Sequence, residues 1–118
     1  MVLVPSIIVS SLRFNHFTNG CFPKAGLPLE TIVKSKTSVY TGCFTNDYQA
    51  FIPKDPQALP KYSATGCSPS MLANRLSWFF DLTGNSVNLD SACSSSLTAL
   101  HLACQDLWSG ESTMVSYN

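Results

Sequence analysis

Among the side chains that can act as nucleophiles, Cys93 has the setting best suited to chemistry. It lies in the run Asp90-Ser91-Ala92-Cys93-Ser94-Ser95-Ser96, between a stretch that reads as a short strand, Ser86 to Asp90, and an apolar-periodic stretch that begins near Ser94. A cysteine at such a strand-to-helix turn meets the unpaired N–H groups and partial positive charge of a helix N-terminus. Both favour the thiolate, which is the nucleophilic form. A sharp turn also lifts the side chain out of the sheet at the carboxyl end of a strand, where open α/β sheets bind ligands. Helix N–H groups can serve an oxyanion during acyl transfer. The small neighbours Ala92 and Ser94 to Ser96 leave room for a substrate. On position alone a second reading stands beside this one: a small residue in a capping segment, because structural cysteines are the commoner kind.

The remaining thiols and the imidazoles offer less. Cys21, Cys43, Cys67 and Cys104 form no C-x-x-C pair, and no histidine stands at zinc-finger spacing from a cysteine pair, so no metal site is expected. Cys43 falls at a strand end, Cys67 in a loop before a helix, and Cys104 on an apolar helix face, where core packing is expected. His101 follows Cys93 by roughly 12 Å of helical rise and cannot be its hydrogen-bonded base. His16 lies in a leader with no readable pattern. A cysteine hydrolase needs a base and an orienting acid, and neither is placed here.

The elements that must position Cys93 can be read from spacing. Thr37 to Phe44 is rich in β-branched and aromatic residues and predicts a strand. The Gly and Pro of Ala25 to Pro28 predict a turn, and Pro53, Pro56 and Pro60 predict a loop. Ser68-Pro69 predicts a helix start, with Ser68 as N-cap, followed by Leu72, Leu76, Phe79 and Phe80 on one apolar face and Gly84 at the end of the pattern. A second helix is predicted from about Ser94 to Trp108, with Leu97, Leu100, Cys104 and Leu107 as its apolar face and Gly110 as its C-cap. Strand, helix, strand, helix in that order predicts an α/β fold with parallel pairing between the strands near Val39 and residues 86 to 90.

Composition narrows the function. The chain has 118 residues, enough for one domain. Charged residues make up 12% of it, against about 25% in typical soluble domains, which suggests a surface that expects to be covered. Seven basic and seven acidic residues cancel, so nucleic-acid binding has no electrostatic support. No apolar run approaches a membrane span, and the start lacks the pattern of a signal peptide. Five cysteines without a secretion signal read as free thiols in a reducing, cytoplasmic compartment.

An ordered series of longer motifs goes further. Asp90 to His101 resembles the active-site segment of β-ketoacyl synthase domains, best those of fungal iterative type I polyketide synthases. Lys36 to Tyr48, Tyr62 to Gly66, Ala73 to Gly84 and Gln105 to Ser112 match the same family in the same order. The resemblance covers about Ala25 to Met114. It implies a thiolase-like fold, here part of the N-terminal half, with layered helices and a mixed, mostly parallel sheet. It also implies that Cys93 takes an acyl chain from a carrier-protein thioester, after which a malonyl unit is decarboxylated and attacks the acyl group. In the family the phosphopantetheine arm of the acyl carrier protein delivers the substrate, no metal or organic cofactor is bound, and the intact enzyme is a homodimer.

The departures from the family pattern carry expectations of their own. Ser91 stands where the family usually has Thr. Residues 1–22 do not resemble the family's opening and are expected to be a divergent leader that packs poorly, with residues 23–118 as a partial N-terminal domain. The family's two histidines and one of its oxyanion-hole amides belong to segments beyond Asn118. The expectation is a synthase fragment unable to complete condensation without the remainder of the synthase. The alternative is a non-catalytic remnant that keeps the fold pattern.

Overall fold

In a computed structural model of the chain, residues 2–5, 26, 28–45, 50 and 60–117 are described. They form strand β1 (Val2–Pro5), helix α1 (Leu29–Ile32), strand β2 (Thr37–Gly42), helices α2 (Ser63–Cys67) and α3 (Met71–Phe79), strand β3 (Ser86–Leu89), helix α4 (Ser95–Ser109) and strand β4 (Met114–Tyr117). The loop expected around Pro53 and Pro56 lies outside the described residues, as do Cys21, His16 and residues 6–22. Val2–Pro5, within the stretch expected to pack poorly, pair as an edge strand.

The four strands lie in the order β1-β4-β2-β3. All three pairings are parallel, with Val39 opposite Ser86, Thr37 opposite Met114 and Val2 opposite Met114. The parallel relation of the Val39 strand to residues 86–89 agrees with the alternation of elements in the sequence. No antiparallel pairing occurs among the described strands. Parallel neighbours need a crossover, and α3 and α4 supply the crossovers β2 to β3 and β3 to β4.

Those crossovers cover opposite faces of the sheet. On one face Val39 packs with Ile32, Ala73, Leu76 and Phe80, and Leu82 and Met114 close over them. On the other, Tyr40 and Val115 pack with Ala99, Ala103 and Leu107 of α4. Val39 and Tyr40 are consecutive and point to opposite faces, as the two-residue period of a strand requires. Burying a side chain such as Leu76 or Val39 stabilises by roughly 1.5–3 kcal/mol.

A central strand covered on both sides has no water for its polar groups, so its hydroxyls must find partners. Thr41 donates to the Asn88 side chain at 2.8 Å, and Ser38 accepts from the Asn85 backbone N–H at 2.8 Å. Ser38 and Ser112 share a hydroxyl–hydroxyl bond. Ser112 also donates to the buried Asp106 carboxylate at 2.6 Å, and the Asn85 side chain donates to its other oxygen at 3.0 Å. Tyr40 joins the same group through Asn85 and Asp106, and burial is the main cause that raises its phenol above the ordinary value of 10.0.

Three details of the helices differ from the spacing-based expectations. Ser68 takes an extended conformation and closes α2, and α3 begins at Met71. The physical reason is Pro69, which pushes the residue before it out of the helical region. Phe79 is exposed and the buried positions of α3 are Ala73 and Leu76, with Phe80 as its C-cap residue. Gly84 does not stop α3; Asp81 does, at φ 52°, with the Leu82 N–H reaching back to the Ser77 carbonyl at 2.8 Å. Gly110 closes α4 as expected, at φ 75°, a conformation that costs glycine little.

Candidate functional site

Cys93 sits at the carboxyl edge of the parallel sheet, between the end of β3 at Leu89 and the start of α4 at Ser95. Its side chain is exposed. The strand-to-helix turn expected for it is therefore present, and the helix that follows runs 15 residues. Parallel strands all end at this edge, so Gly42 and Cys43 of the neighbouring strand end beside it. The Cys43 N–H bonds the Leu89 carbonyl at 2.9 Å.

The turn is built almost entirely from its own polar atoms. Asp90 accepts the Ala92 N–H on its carboxylate at 3.1 Å. Ala92 adopts φ 52°, a left-handed conformation unusual for a residue with a Cβ. The Ser94 hydroxyl donates to the Ser91 carbonyl at 2.7 Å. The Ser91 and Thr98 hydroxyls meet at 3.1 Å, and Thr98 donates to the Ser94 carbonyl at 3.1 Å. The Ser95 hydroxyl accepts the Ser91 N–H at 2.9 Å and donates to the Ala92 carbonyl at 2.7 Å.

Close approach of β2 completes the turn. A Cβ on Gly42 would stand 2.7 Å from the backbone carbon of Ser95 and 2.8 Å from its Cβ. Only glycine lets the first turn of α4 lie this near the strand end. The Ser94 and Ser95 N–H groups turn back to the Ser91 and Ala92 carbonyls at 3.2 and 3.1 Å. Those two donors are thus already used inside the turn, a restriction on which amides could meet an oxyanion that the sequence did not reveal.

Other candidates lie apart from Cys93. His101, the one histidine among the described residues, is exposed further along α4. It lines an open groove of about 510 Å³ with Leu97, Thr98, Leu100, Cys104 and Trp108. Cys104 is therefore on the outer side of α4, half-buried, and of the expected core face Leu107 alone packs in the core, while Leu97, Leu100 and Cys104 turn to the groove. Ala99, Ala103 and Leu107 make the inner face. Both sides of α4 are apolar, and the small alanines take the inner one because they let the helix approach the sheet. Among the described residues no group of three His, Cys, Asp or Glu side chains could hold a metal ion.

The chain and the fold just described are matched by known proteins. The sequence model described as "Beta-ketoacyl synthase, N-terminal domain" matches residues 17–116, beginning ahead of the leader boundary expected at residue 22. The chain belongs to the β-ketoacyl synthase family. A highly reducing polyketide synthase of Penicillium expansum is 55% identical over 93 residues, covering 79% of this chain and 4% of that protein. The lovastatin diketide synthase of Aspergillus terreus is 54% identical over 90 residues, covering 76% of this chain and again 4% of the relative. The chain thus spans about 4% of the length of these curated relatives. Among solved structures, the ketosynthase from module 6 of the bacillaene synthase of Bacillus subtilis 168 superposes with a TM-score of 0.69 at 31% identity, over 85% of this chain and 16% of that one. The thiolase-like fold implied by the sequence motifs is the fold of these neighbours.

Proposed function

We propose that this chain carries the acyl-accepting step of a polyketide-type ketosynthase, with Cys93 as the nucleophile. The Cys93 sulfur attacks the carbonyl of an acyl thioester borne on the phosphopantetheine arm of an acyl carrier protein. The carrier's C–S bond breaks, the carrier thiol leaves with the proton that Cys93 gave up, and the acyl group rests on Cys93. In the complete synthase, a malonyl thioester then loses CO₂ and its carbanion attacks the acyl carbonyl. A C–C bond forms and the Cys93 thiolate departs. Other parts of such a synthase, and a second copy of it, would be this chain's partners.

The observation that carries this reading is the exposed Cys93 on a serine-bonded turn at the carboxyl edge of a parallel sheet, inside the stretch matched by the family. On this reading the 118-residue chain takes up an acyl group but does not condense it: His101, the one histidine among the described residues, lies on the groove side of α4. General acid–base groups contribute about 10²–10⁴-fold to such reactions. The test is to offer the purified chain an acyl-pantetheine thioester and follow intact mass. An adduct mapped to Cys93 and lost in Cys93→Ala is expected. Adducts spread over Cys43, Cys67 and Cys104 as readily as over Cys93 would overturn the assignment. Adding a malonyl-carrier thioester is expected to give no sustained β-ketoacyl product; such product would overturn the view that the chain stops at acylation.

A further inference from the structure

We propose that Ser95 is the positioning residue of Cys93: its hydroxyl spans the left-handed residue Ala92 and fixes the direction in which the thiol leaves the turn. This rests on the reading of Cys93 as the acyl acceptor. The Ser95 oxygen accepts the Ser91 N–H at 2.9 Å and donates to the Ala92 carbonyl at 2.7 Å. One side chain therefore ties the peptide entering Ser91 to the peptide joining Ala92 to Cys93. The plane of that second peptide sets where the Cys93 side chain points. Between the two ties stands Ala92 at φ 52°, a conformation that a residue with a Cβ leaves unless it is held.

Ser95 is itself immobilised. It is 4% exposed, unlike Ser94 and Ser96, which are exposed. Gly42 backs it so closely that a Cβ there would be 2.8 Å from the Ser95 Cβ. Ser94 and Ser95 both bond backward into the turn, Ser94 to the Ser91 carbonyl ahead of Ala92 and Ser95 to the Ala92 carbonyl beyond it. The three consecutive serines after Cys93 are thus not equivalent, and only Ser95 grips both sides of Ala92.

The test compares four versions of the full 118-residue chain: unsubstituted, Ser95→Ala, Ala92→Gly, and the double variant. Glycine adopts φ > 0 without steric cost. If the hydroxyl serves to hold Ala92, glycine at position 92 removes the need for it. Cys93 is followed by peptide mass mapping against two reagents, an acyl-pantetheine thioester and iodoacetamide. Attack on the thioester depends on orientation and simple alkylation depends on it far less. Ser95→Ala is expected to slow acylation about tenfold or more and alkylation less than about twofold, on the scale of losses that small misplacements cause. The double variant is expected to regain most of the acylation rate, a coupling that a packing role for Ser95 would not give.

A second readout does not depend on activity. The Ser91 amide is expected to exchange slowly with solvent in the unsubstituted chain and faster in Ser95→Ala, and the Ala92 coupling constant is expected to report positive φ. If the unsubstituted chain is not acylated at Cys93, the functional reading falls while amide exchange still judges the clamp. Should Ser95→Ala not fold, the unsubstituted chain decides: a Ser91 amide exchanging at the unprotected rate overturns the proposal. A double variant no better than Ser95→Ala, or unchanged acylation in Ser95→Ala, also overturns it.

Discussion

Tyr40 is nearly buried, at 6% exposed, and shares Asn85 and Asp106 with the network around Ser38 and Ser112. Burial, the largest cause, disfavours its phenolate; the hydrogen bond with Asn85 opposes it, and the Asp106 charge and a hydrogen bond to Asp106 add to burial in smaller measure. The folded chain therefore holds the Tyr40 proton above the pH at which the unfolded chain releases it. Below the ordinary value of 10.0 both states are protonated and the contribution is complete. Above it the unfolded chain ionises first, so stability is lost as pH rises toward the raised value. Denaturant unfolding measured across that range is expected to fall more steeply for the unsubstituted chain than for Tyr40→Phe; equal slopes would contradict it. At neutral pH Tyr40→Phe should cost about 1 kcal/mol, the size of a lost internal hydrogen bond.

Element boundaries are set by single backbone positions, and two substitutions measure this. Gly42→Ala pushes a methyl against the Ser95 backbone, so β2 and α4 must separate. The expected cost is about 1–3 kcal/mol, typical of overpacking, read as a lower denaturation midpoint. Asp81→Gly is expected to act the other way. Asp81 holds φ 52° at the end of α3, where glycine is the unstrained residue, and the gain should be roughly 0.5–1 kcal/mol if the end stays as it is. The same two positions show what spacing could tell. The end of α4 was legible because Gly110 is the unstrained residue for its place. The end of α3 was not, because an aspartate holds the left-handed position and Gly84 stands nearby for another reason: its Cβ would strike the Thr37 backbone at 2.5 Å. The turn at Cys93 was legible from the switch of period on either side of it. The inward face of α4 was not, since Leu97, Leu100 and Cys104 compete with Ala99, Ala103 and Leu107, and only the sheet decides between them. The four- and five-residue elements α1, α2 and β4 carry too few periods to stand out, whereas β3, equally short, is legible beside the helical pattern that follows it.

At the scale of the molecule, the outer side of α4 leaves Leu97 67% exposed and Trp108 72% exposed along the groove. With charged residues at 12%, little on the surface keeps two copies apart. The isolated chain is expected to self-associate at micromolar concentration, and Leu97→Glu with Trp108→Lys to reduce this without lowering stability, since neither side chain is in the core. Sedimentation velocity over a concentration series reads both. A monodisperse monomer in the unsubstituted chain would refute it. The strand order has a different consequence, one of timing. Val2–Pro5 can pair only with Met114–Tyr117, the strand furthest from it along the chain. Closing that pair encloses nearly the whole sequence in one loop, so its entropy must be met before any of its hydrogen bonds form. During synthesis β1 leaves the ribosome before the other three described strands and is thus the last of the four to find its place, and until then β4 presents an unpaired edge.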